Sequence, residues 1–115
     1  LAGSPEFAVA DDAGHIYFND ASRAVVNVLD TRTLKVVRHW SIAPCREPSG
    51  LALDVEHGRV FSVCANRRMA ISDAKRGRLM TTLPIGGKTD GVVFDPSTGD
   101  ALAANGDGTI TVVLR

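Results

Sequence analysis

One phrase recurs three times along this chain: "FAVADDAGHIYFND" around Asp11, "GLALDVEHGRVFSVCA" around Asp54 and "GVVFDPSTGDALAANG" around Asp95. The aspartates stand 43 and 41 residues apart, and a second landmark follows 19 residues after each of the first two, at Asp30 and Asp73. The same offset after Asp95 falls on Leu114, so the third copy is partial. A repeat of this length is one supersecondary unit that cannot bury its own faces and stacks on its copies.

Within each copy the pattern is that of strands. The first supplies "FAVAD", "HIYFND", "AVVNVLD" and "KVVRHWSI", and the second "GLALD", "RVFSVCA", "RMAISDA" and "RLMTTLPI". The third supplies "GVVFD", "DALAANG" and "TITVVL". These runs are rich in Val, Ile, Thr and aromatics and are bounded by Gly, Asp, Asn and Pro. No segment of helical length carries a 3.6-residue apolar period, so helix content is expected near zero. Four strands in a unit of this length mark a β-propeller blade. The expected fold is therefore all-β: four-stranded antiparallel blades in an incomplete ring, with the last blade lacking its outer strand. Naming the strands a to d from the centre outward, the whole chain, 1–115, forms one propeller segment. Blade 1 covers about 6–43, blade 2 about 49–86 and partial blade 3 about 90–115.

Thirteen basic and thirteen acidic side chains leave no formal net charge, which argues against a nucleic-acid partner. No apolar run is long enough to span a bilayer. The chain opens at Leu1 with no basic-then-apolar leader, so it is expected to be a mature or excised piece.

"VNVLDTRTLKVV", followed by "PSGLALDVEHGRVFSVCANRRMAISDAKRGRLMTTLPIG", resembles the YVTN-type (YncE-like) β-propeller repeat. The resemblance implies a ring commonly of seven blades in often exported bacterial proteins, hence a periplasmic or secreted location. This chain holds fewer blades. A linear stack of blades leaves two outer faces, and apolar positions such as Val9, Leu53, Phe61 and Val93 are expected near them. Missing blades of a longer chain, or self-association, would cover those faces. Two copies would bring about six blades and three about nine, against the usual four to eight.

Cys45 lies in the d–a connection "APCREPSG" and Cys64 ends strand b of the next blade. Both reach one end of that blade, so a disulfide is expected, the alternative being two free thiols. His15 and His57 fall near equivalent a–b turns, with no converging set of metal ligands. His39 alternates with Arg38 and Trp40 on an outer strand. Asp11, Asp54 and Asp95 recur in every copy, which favours turn capping over catalysis. "GGKTDG" lacks the full phosphate-loop pattern and leads into a strand, and "NGDG" reads as a hairpin turn.

The b–c and d–a loops gather Asn19, Asp20, Arg23, Arg46, Glu47, Asn66, Arg67, Arg68, Lys88, Thr89, Asp90, Asn105 and Asp107. This mixture suits a protein or polar small-molecule partner, and equally an ordinary solvated rim. The reading expects a non-catalytic binding or scaffold module, with no catalytic, cofactor or metal residues. It would act through the loop face or through blade-to-blade assembly. The rival is a fragment of a propeller enzyme, a hydrolase or a quinone- or haem-dependent oxidoreductase, with its site around the central channel.

Overall fold

The computed structural model describes residues 5–86, 89–106 and 108–114, without the side chains of 5–7, 90 and 114. Strands β1 (Pro5–Ala10), β2 (His15–Asp20), β3 (Val25–Asp30) and β4 (Lys35–Ser41) form the first blade. Strands β5 (Pro48–Asp54), β6 (Arg59–Cys64), β7 (Arg68–Asp73) and β8 (Arg78–Pro84) form the second. Strands β9 (Thr89–Asp95), β10 (Asp100–Asn105) and β11 (Ile110–Leu114) form a three-stranded third. Every neighbouring pair is antiparallel, and no helix occurs among the described residues. This is the all-β propeller architecture that the repeat called for, open at both ends.

The registers are equivalent from blade to blade. Val9–Tyr17–Val28 occupies the same cross-strand row as Ala52–Phe61–Ile71 and Val93–Leu102–Val112. One row toward the b–c loops, Asn19–Val26 corresponds to Val63–Met69 and Ala104–Ile110. These rows make up the back of each blade, the side facing the next one. The opposite face, the front, carries Phe18, Ser62 and Ala103 at equivalent positions.

Side chains alternate across a strand, so each interior blade feeds two cores. In β6, Val60 and Cys64 pack with Val26, Val28, Trp40 and Ile42 of blade 1. Phe61 and Val63 of the same strand pack with Ala101, Ala103 and Val113 of blade 3. The Phe61 and Phe94 rings stack across that second boundary, with centroids 5.6 Å apart. Blade 2 is therefore apolar on both faces, whereas strand β4 is exposed except at Trp40.

One expectation is corrected here. Val9 and Leu53 pack against the first core and Phe61 lies inside the second, so these three line internal boundaries instead of outer faces. Their strand parity points them between blades. Val93 does lie on an open face, 62% exposed, with Ile110 at 64% and Val112 at 49% beside it.

Candidate functional site: the two turn faces

The d–a and b–c loops meet at one end of the blades, and Cys45 and Cys64 bind them together in blade 2. The two cysteines form a disulfide with Cα atoms 5.7 Å apart, and both are buried. Around it the Arg46 amide donates to Asn66 Oδ1 (3.0 Å), Asn66 Nδ2 donates to the Pro44 carbonyl (2.8 Å), and the Ala65 amide donates to the Arg46 carbonyl. The side chains of Arg46, Glu47 and Arg67 stand exposed on this braced platform. Glu47 and Arg67 hold left-handed backbone, φ 48° and 61°, which non-glycine residues rarely adopt. No Gly or Asn at either position announced that conformation in the sequence.

The other members of the predicted rim divide. Arg23 is exposed and reaches toward Asp20, Nε to Oδ2 3.8 Å. Asp20 is buried, and its Oδ1 accepts from the Ser22 amide and hydroxyl. Arg68 turns outward along the sheet, where Nη1 donates to Thr82 Oγ1. Asn19 is fully buried and serves the first blade boundary. Its Nδ2 donates to the Gly50 carbonyl and its Oδ1 accepts from Ser62 Oγ, both at 3.1 Å. Lys88 and Asp107, with the side chain of Asp90, lie outside the described residues.

In blade 3, Asn105 takes the register position of Cys64, opposite Thr89 as Cys64 is opposite Pro48. Gly86 takes that of Cys45. A Cβ on Gly86 would come within 2.5 Å of Asn105 Cγ, so the absent side chain makes room for the amide. Asn105 accepts from Thr89 Oγ1 and donates to Thr109 and Thr111. A covalent tie in one blade is thus matched by a polar hub in the next, and the polar atoms of Asn105 are occupied structurally.

At the other end, the expected turn capping is present in all three copies. Asp11 Oδ1 accepts from the Ala13 and His15 amides, Asp54 Oδ1 from His57, and Asp95 Oδ1 from Ser97. Asp30 and Asp73 cap the c–d turns in the same way. Two caps also hold an imidazole: Asp11 Oδ2 lies 3.1 Å from His15 Nδ1, and Asp54 Oδ2 2.9 Å from His57 Nδ1. Partial burial pushes the Asp11 carboxyl up. The amides of Ala13 and His15 and the His15 ring outweigh it and hold the group below its ordinary value. Backbone amides likewise lower Asp30 and Asp73, and the Ser97 hydroxyl and amide lower Asp95. His39 lies exposed on β4. No group of three or more metal-ligating side chains occurs among the described residues.

No protein-family model matches this sequence. No curated protein matches it either. The fold, by contrast, is shared with solved propellers. Hydrazine synthase of Kuenenia stuttgartiensis aligns with a TM-score of 0.84 at 19% identity, over 95% of this chain and 32% of its own. The WD40 β-propeller domain of Doa1 aligns at 0.82 and 16% identity, over 97% and 37%. The Cps50 (Swd1) β-propeller domain of Myceliophteria thermophila aligns at 0.83 and 14% identity, over 98% and 36%. The chain therefore spans about a third of the length of these neighbours, and the likeness establishes that it folds as a β-propeller sector.

Proposed function

We propose that this chain is a sector of a YVTN-type propeller that works outside the cytoplasm as a non-catalytic binding or scaffold module. The observation that carries the reading is the braced platform of blade 2. There a disulfide and two Asn66 hydrogen bonds fix the loops that present Arg46, Glu47 and Arg67. A rigid sheet that displays charged loop residues is a preorganised docking surface, because little side-chain and loop entropy is left to lose on binding. Two of the three displayed charges are cationic, which favours an acidic protein surface as partner. The WD40 neighbours are propellers of the same build and support this reading by analogy.

The open faces belong to the same proposal. The back of blade 3 presents Val93, Leu102, Ala104, Ile110 and Val112 in the rows that blades 1 and 2 bury. Further blades, from a longer chain or from copies of this one, cover that face.

Reversal of Arg46 and Arg67 to Glu tests the platform. Proteins cross-linked to the wild-type chain should be lost from this variant. They should be retained by a control that reverses Arg32 and Arg76 on the opposite turn face. Loss in both variants, or in neither, refutes the loop-face assignment. A scan for bound metal and visible absorbance addresses the enzyme reading, which a stoichiometric ion or chromophore would favour.

A further inference from the structure

On the face opposite the platform, a cleft of about 270 Å³ opens between blades 1 and 2. Its floor is apolar, from Val28, Leu53 and Ala74 at the edge of the first core. Three cations stand around it: Arg38 from β4, Arg59 at the start of β6, and Lys75 in the c–d turn of blade 2. Arg38 is anchored, since its Nη1 donates to the carbonyls of Ala74 and Lys75. The stem of Lys75 lies over Gly58, where an added Cβ would meet Lys75 Cγ at 3.2 Å and Cε at 3.3 Å. Glycine, at φ +66°, thus lets the lysine lie along the rim.

Two polar groups here have no work within the fold. Among the described residues, neither the Tyr17 hydroxyl nor the Lys75 ammonium has a hydrogen-bond or ion-pair partner. Burial, then the nearby Asp11 carboxylate, pushes the Tyr17 phenol above its ordinary value, so the hydroxyl keeps its proton as a donor. The two carboxylates at the inner end are already engaged. Asp11 and Asp54 each accept a backbone amide and face a histidine ring nitrogen.

We propose that this cleft binds a small monocarboxylic acid on an apolar stem. The stem lies on Leu53 and Val28, and the carboxylate accepts from Lys75 and Tyr17. Charge selects the sign of the ligand, because three cations face two carboxylates that are already hydrogen-bonded. Volume selects its size, since the cleft falls just below the range of roughly 300–1,000 Å³ that holds drug-sized ligands. The site is independent of the loop platform and of how the ring is completed.

The test is an amide NMR titration of the whole chain with three probes: phenylacetate, phenethylamine with the same ring and opposite charge, and acetate without a stem. Phenylacetate should bind with a dissociation constant in about the millimolar range and shift amides of His15, Leu53, Arg59 and Lys75. The amine and acetate should not saturate. Lys75→Gln should weaken phenylacetate by about three- to fivefold, and Tyr17→Phe should weaken it less, both with an otherwise unchanged spectrum. Equal binding of the amine overturns the proposal. So does saturation whose shifts lie elsewhere, a Lys75→Gln variant that binds as wild type, or no binding of phenylacetate.

Discussion

Asn19 offers a direct test of how the blades are joined. It is the one fully buried asparagine among the described residues, and it bridges blades 1 and 2 through the Gly50 carbonyl and the Ser62 hydroxyl. At the next boundary the same register positions hold Val63 and Ala103, both fully buried in an apolar core. Asn19→Val removes two hydrogen bonds and strands both partners. At about 2–3 kcal/mol for each orphaned group, its lost bond included, less about 2 kcal/mol gained from a buried isopropyl, the net cost is about 2–4 kcal/mol. Ser62→Ala alone leaves only Asn19 Oδ1 unmatched and costs about 1–2 kcal/mol. The double variant reproduces the second boundary and leaves only the Gly50 carbonyl unmatched. Its cost should be about 1–2 kcal/mol, well short of the sum of the singles. Urea unfolding of the four proteins closes the double-mutant cycle, with an expected coupling of about 3 kcal/mol. Additivity within about 0.5 kcal/mol would refute the claim that the pair acts as one unit.

The Cys45–Cys64 tie, with a sequence separation of 19, should stabilise the fold by about 3 kcal/mol. Urea midpoints of Cys45→Ala/Cys64→Ala against wild type check this, and alkylation with and without reductant should show a mass difference only after reduction. Leu34 occupies the c–d turn position of Gly77 at φ 59° and is exposed, so Leu34→Gly should raise stability by about 0.5–1 kcal/mol. An unchanged or lower midpoint would contradict the strain argument. The carboxyls of Asp11, Asp30, Asp73 and Asp95 are lowered in the fold. Their contribution is therefore present above the unfolded value of about 4 and is lost as pH falls through the folded values. Urea midpoints should drop as the pH falls below the unfolded value of about 4. A midpoint that rises on acidification would contradict the capping roles.

Much of the fold could be read from the sequence because the repeat imposes it. The aspartates that set the period are the turn caps, and the apolar runs between them are the strands. Cys45 and Cys64 were legible as a pair because strand order alone brings a d–a loop beside the end of strand b. Side-chain parity at blade boundaries was harder. Val9, Leu53 and Phe61 look like outer-face residues until registers show which side of each sheet they take. Asn19 looked like a rim residue because it sits one place before the end of β2, yet that place points into the boundary. The cleft around Tyr17 and Lys75 depends on contacts between blades, which no single repeat contains, and the left-handed backbone at Glu47 and Arg67 falls on residue types that do not announce it.

The central claim is that an apolar blade face such as Gly91, Val93, Leu102, Ala104, Ile110 and Val112 must be covered by another blade. Light scattering of the purified 115-residue chain over a wide range of concentration tests it most directly. The account predicts a discrete dimer or trimer that shifts toward monomer in an Ile110→Lys variant. A folded wild-type monomer at every concentration would contradict it.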